Sequence, residues 1–121
     1  MSKYAVCVAA GPDDVGSAVN GFEYARSLAD AGHEVTVFLD GEATKWPGEV
    51  DSRPDHPVRE ALDDLRDRGT VAGACAYCAD VFDATEGCRT AGITLHGTAG
   101  EDHAPDVGRL AADGYELLTV G

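Results

Sequence analysis

Cys75-Ala-Tyr-Cys78 is the segment whose residue types and spacing most directly offer chemistry. Thiols at this spacing share one helical turn, and a thiolate at a helix N-terminus is favoured by the unpaired amides there. Three uses of the pair stay open on the residues alone. A dithiol can cycle with a disulfide, Cys75 attacking and Cys78 resolving. A thiolate pair is also half of a metal site, which Cys88 and His96 could complete, although the chain has no second C-x-x-C and lacks the paired spacing of zinc modules. A single nucleophilic thiol, finally, can carry sulfane sulfur as a persulfide. The bland alternative is a pair of small buried hydrophobes. Asp80 and Asp83 would oppose thiolate formation if they approached the sulfur.

The remaining reactive residues have weaker cases. Cys7 lies inside an apolar run and reads as core packing. Cys88 follows Glu86-Gly87 in an expected loop, either as a second relay thiol or as a packed residue. His96 ends an expected strand and is a candidate to help deprotonate a thiol. His33 suits a helix C-terminus, His56 lies beside prolines, and His103 reads as solvated. The first turn, Gly11-Pro-Asp-Asp-Val-Gly16, is neither G-x-G-x-x-G nor a P-loop. It sets carboxylates and an amide-less proline where a phosphate needs donors, so dinucleotides are disfavoured. A phosphoacceptor receiver would carry an aspartate where Cys75 stands, and Asp13 and Asp14 read instead as caps of the first helix. No cofactor and no metal is expected.

The elements that position these residues follow from hydrophobic patterning. Tyr4 to Ala10 is a nearly all-apolar run closed by Gly11-Pro12, as suits a strand buried on both faces. A helix follows with Val15, Val19 and Phe22 on one face and Ala18 and Ala25 beside them, and Gly32 just past its end. Glu34–Leu39 is a β-branched and aromatic strand ending at Asp40-Gly41. Gly41 to Pro57, with prolines at 47, 54 and 57 and the only tryptophan, Trp46, reads as a long loop serving as a lid or contact surface. Pro57 opens a second helix with Val58, Ala61, Leu62 and Leu65 inward, ending before Gly69. Then come a small-residue strand at 70–74, a short helix at 75–85, a strand at 92–96, a helix at 105–113 stopped by Gly114, and a strand at 116–120.

This βαβαβαβαβ alternation predicts an α/β fold, a three-layer α/β/α arrangement about a five-stranded parallel sheet, flavodoxin-like in general architecture. Residues 1–121 are expected to form a single domain without repeats or linkers. Ligands in such sheets sit at the carboxyl ends of the strands. Gly11 to Asp14, Asp40-Gly41, Cys75 to Cys78 and His96 to Thr98 therefore line the expected site, with Gly11, Asp13 and Asp40 in supporting places.

Charge excludes other classes. With 22 acidic and 9 basic side chains the net charge is −13, which repels a phosphate backbone, so no nucleic-acid partner is expected. Only Lys3 and Lys45 are lysines, whereas aspartate occurs fourteen times, a composition suited to hydration in a salt-rich, halophilic cytosol. No apolar run reaches the roughly eighteen residues of a membrane span, and no charged leader precedes the first strand, so a cytoplasmic protein is expected.

Val8-Ala-Ala-Gly-Pro-Asp-Asp14, Ala31-Gly-His-Glu-Val-Thr-Val-Phe-Leu39, Ala74-Cys-Ala-Tyr-Cys-Ala79 and Gly114-Tyr-Glu-Leu-Leu-Thr-Val120 together resemble the DsrE/DsrF-like family of small sulfur-relay proteins, in a haloarchaeal, salt-adapted form. The resemblance covers nearly the whole chain. It implies a persulfide carried on Cys75, with Cys78 matching a second cysteine found in some branches. It also implies sulfur donor and acceptor proteins as partners and a homo-oligomer, commonly a trimer or hexamer. The segment Ala79-Asp-Val-Phe-Asp-Ala84 departs from the family by lacking the basic turn of some sulfur carriers. A cytoplasmic sulfur-relay protein, a sulfurtransferase or carrier, is thus the expected function. The alternatives are an oligomeric binding module with structural cysteines, or a dithiol–disulfide oxidoreductase.

Overall fold

A computed structural model describes residues 1–121. Strand β1 (Lys3–Val8) lies at the centre of the core, and helix α1 (Val15–Asp30) starts where Asp14 Oδ1 accepts the Ser17 amide at 3.3 Å. Asp14 is therefore the cap, while Asp13 stays exposed. Ala18, Phe22 and Ala25 are buried along one stripe of α1 with Val19 partly buried beside it, whereas Val15, expected on that face, is exposed in the first turn; at the helix end Gly32 takes a φ of 88°. Strand β2 (Glu34–Leu39) pairs with β1 in parallel register from Lys3↔Glu34 to Val8↔Leu39.

The stretch after Asp40 differs from the expected lid or contact surface. Gly41–Lys45 winds into a 3₁₀ turn and Trp46–Glu49 into the short helix α2. Trp46 is fully buried, and its indole N–H donates to the Ala10 carbonyl at 2.8 Å. Burying so large a side chain fixes a stretch that the three prolines after Trp46 mark as a loop, because the indole reaches both hydrocarbon and a partner. The segment is a wedge in the core.

Helix α3 (Pro57–Asp67) begins with proline at its first position and buries Val58, Ala61, Leu62 and Leu65. Strand β3 (Val71–Cys75) extends one residue beyond the expected strand, so Cys75 is at once its last residue and the N-cap of the next helix. The single helix expected over 75–85 is two, α4 (Ala76–Val81) and α5 (Thr85–Thr90), broken where Asp83 adopts a φ of 55°. Strand β4 (Leu95–His96) is short, α6 spans Val107–Ala112, and β5 covers Tyr115–Val120.

The sheet is five-stranded and wholly parallel, in the order β4-β3-β2-β1-β5. Right-handed crossovers explain the layers. The chain steps from β1 to β4 in one direction, placing α1, α3, α4 and α5 on one face, and then returns across the sheet to β5, placing α6 on the other. The arrangement is α/β/α, but unequal. Val6, Val8, Val37, Leu39, Phe22, Trp46 and Leu65 fill the main core on the face opposite α6, where α2 also packs. On the α6 face Leu117 and Val107 stay 39% and 45% exposed, and a cleft of about 700 Å³ opens between Phe38, the 97–106 segment and α6.

Candidate functional site

Parallel strands deliver their carboxyl ends to one rim, and the site forms there. Asp40 follows β2, Cys75 ends β3, Cys78 lies in the first turn of α4, and His103 comes from the segment that leads from β4 to α6. One ligand-type atom from each of these residues lies within 4.8 Å of every other. Asp40 Oδ1 is the hub, accepting from the Gly41 amide at 2.8 Å, from His103 Nε2 at 2.8 Å and from the Cys78 thiol at 3.2 Å.

The cysteines meet different surroundings. Cys75 Sγ accepts two backbone N–H groups, from Cys78 at 3.2 Å and from Ala104 at 3.4 Å. The first of these is the cap that starts α4. Cys75 is 0% exposed, with the Ala104 amide against its sulfur and the His103 ring within 4.8 Å. Cys78 is half-buried, and its thiol is pushed up to about 12, first by burial and then by the Cys75 thiol and the Asp40 carboxylate it bonds. The solvent-side sulfur therefore keeps its proton at neutral pH, while the covered sulfur faces the donors that would stabilise an anion.

The other sequence candidates are placed as follows. His96 does stand at the strand end, but its Nε2 donates to the Ala72 carbonyl at 2.7 Å and its ring packs edge-on against Phe38, so it is not in the cluster with the thiols. Gly73, at φ 148°, makes that position possible, since a Cβ there would lie 2.9 Å from the same nitrogen. Cys88 sits in α5 rather than in a loop; it is fully buried, with its thiol donating to Thr44 O at 3.3 Å. Burial pushes it up to about 11, and Cys7 likewise, with the Asp40 charge a second cause at Cys7. Gly11 serves packing: a Cβ there would meet Glu42 Cβ at 2.7 Å, which lets the first loop press on the 3₁₀ turn. Asp13 points to solvent, away from the cluster.

His103 is the residue that sequence reasoning missed. It was expected to be solvated, and its side chain is 51% exposed, yet it bonds Asp40. The weak signal available was a histidine two residues before Pro105, in the loop leaving the strand next to β3.

A five-stranded parallel sheet with cysteines at its carboxyl rim defines an α/β protein with a thiol site. The sequence model of the DsrE/DsrF-like family matches residues 2–120, and the chain belongs to that family. No curated protein and no solved structure gives a significant match. None of the helices is long and apolar enough to cross a membrane.

Proposed function

We propose that the protein is a sulfur-relay protein that carries sulfane sulfur as a persulfide on Cys75. The observation that carries this reading is the pair of backbone N–H groups aimed at Cys75 Sγ at the sheet rim, with a second thiol beside it. Membership in the family supports the same role. The Cys75 thiolate attacks the terminal sulfur of a donor persulfide, the donor S–S bond breaks, and the donor leaves as a thiolate. An acceptor thiolate then takes the terminal sulfur from Cys75, which returns to its starting form. Alternatively Cys78 attacks the inner sulfur, closing a Cys75–Cys78 disulfide and expelling hydrosulfide.

Because Cys75 is covered, loading requires the 97–106 segment to swing away. Gly97 and Gly100, both at positive φ, bracket its first turn, which a Thr98–Asp102 bridge closes. The partners in this reading are donor and acceptor proteins that engage the rim. Association into a homo-oligomer, a trimer or hexamer by family resemblance, fits the thin cover on the α6 face, and a salt-rich setting fits the acidic composition.

Intact-protein mass after incubation with a persulfide donor tests the reading. The native chain gains one sulfur, Cys75→Ser gains none, and Cys78→Ser still loads. Loading of Cys75→Ser at the native level overturns it. The burial of Cys75 favours one other reading, a binding module with structural thiols, in which Cys75 resists alkylation until denaturant is added.

A further inference from the structure

We propose that Asp40, Cys75, Cys78 and His103 form a binding site for a thiophilic divalent cation of the zinc class. The inference stands apart from the sulfur-relay reading and uses the same cluster in another protonation state. Tetrahedral zinc, with bonds of about 2.0–2.3 Å, sets its ligand atoms about 3.3–3.8 Å apart. Here the four donor atoms already lie within 4.8 Å of one another, with Asp40 Oδ1 to Cys78 Sγ at 3.2 Å and Asp40 Oδ1 to His103 Nε2 at 2.8 Å. Hydrogen bonds from Cys78 and His103 to Asp40 hold the cluster together, and a cation takes the place of the protons in them. Small adjustments at the half-exposed His103 bring the donors to bonding distance.

The donor set selects the ion. Two sulfurs, one imidazole nitrogen and one carboxylate oxygen match a soft or borderline cation, whereas calcium and magnesium need more oxygens than Asp40 can provide. Cys75 and Cys78 have the spacing that places two thiolates on one metal at the start of a helix, and the amides of Cys78 and Ala104 already point at Cys75 Sγ, as supporting donors to a bound thiolate do. The strongly negative molecule attracts cations generally. The bound form joins the ends of β2 and β3 to the covering segment through His103. It also occupies both sulfurs; that this excludes a persulfide is a consequence resting on the relay reading.

Anaerobic titration of the reduced full chain with Co²⁺, followed by Zn²⁺, tests the site. The expected result is saturation at one Co²⁺ per chain, with intense visible ligand-field bands of a tetrahedral ion and near-ultraviolet sulfur charge-transfer bands. One equivalent of Zn²⁺ then bleaches the spectrum. Cys75→Ser and Cys78→Ser each lose about half of the charge-transfer intensity per bound ion, as expected when one of two thiolate ligands is removed. His103→Ala and Asp40→Asn weaken Co²⁺ binding by roughly ten-fold or more, keep both sulfur bands and lower the visible intensity. His103→Ala changes an exposed side chain, so this arm does not depend on refolding a damaged core. Failure to saturate at one ion per chain, octahedral bands, or unchanged affinity in both His103→Ala and Asp40→Asn overturns the site. A chain that binds Co²⁺ without loading sulfur overturns only the relay reading; one that loads sulfur without binding Co²⁺ overturns only this inference.

Discussion

Two sulfur atoms one helical turn apart meet opposite electrostatics: amide N–H groups face Cys75 and a carboxylate faces Cys78. In the metal-free chain Asp40→Asn removes the charge but keeps an oxygen to cap Gly41. Ultraviolet titration of the thiolate then shows the Cys78 transition moved down from about 12 toward the ordinary 9.0, part of the way, because burial and the neighbouring Cys75 are the larger causes. At Trp46 the energetics are those of packing. Trp46→Ala leaves a cavity and an unpaired Ala10 carbonyl, and chemical denaturation registers a loss of about 3–5 kcal/mol. At this scale the sequence was legible where chemistry and position coincide, as for Cys75, Cys78 and Asp40 at the strand ends. The two histidines show where it was not. Both lie near the rim, but only tertiary contacts direct His96 Nε2 to the Ala72 carbonyl and bring His103 to Asp40.

Among the elements, periodicity, composition and caps make β1, β2, β5, α1 and α3 readable from the sequence alone. The apolar and β-branched runs of the strands and the stripes of Phe22 and Leu65 are local signals that agree with the global fold. Helix α5 gave no such signal, for Thr-Glu-Gly-Cys-Arg-Thr buries only Cys88 and is helical because of what it packs against. Its Gly87 meets Gly48 of α2 closely enough that an added Cβ would lie 2.8 Å from the opposing Cα. The covering segment is likewise defined by tertiary placement, and its few hydrogen bonds are mostly local ones around Thr98 and Asp102. Hydrogen exchange of its amides is accordingly faster than that of β1, whose ladder is paired on both sides. Removing the latch to Asp40 by His103→Ala opens the segment more often, so the alkylation rate of Cys75 in native metal-free protein rises several-fold; an unchanged rate would show that His103 does not hold the cover.

For the molecule as a whole, the thiol shifts set an alkaline limit. Cys7 and Cys88 are raised from 9.0 to about 11 in the folded state, so above pH 9 the unfolded chain loses thiol protons that the folded chain retains. Their stabilising effect is complete below that pH and is lost as pH climbs toward 11, on the order of 1.4 kcal/mol per pH unit for each thiol at most. Denaturation midpoints measured from pH 8 to 11 fall accordingly, and Cys88→Ala flattens the slope. Charge acts at neutral pH. Arg26 reaches Glu23, Glu60 and Asp64, and Arg68 reaches Asp30 and Asp64, tying α1 to α3, but nine cations cannot neutralise 22 acids. Added salt shortens the screening length from about 10 Å at 0.1 M to about 3 Å at 1 M, and the melting temperature rises across this range. A melting temperature independent of salt would remove the support for a salt-adapted protein.

The double duty of Cys75, last residue of a strand and first anchor of the following helix, separates architecture from reactivity. A hydroxyl oxygen fulfils the anchoring duty as well as sulfur or better, because serine is among the preferred residues for starting a helix. Either element can therefore start the helix, and under the proposed relay function the sulfur is there for its chemistry. Under that proposal, exchanging one atom for its lighter congener ends sulfur loading while leaving the framework standing.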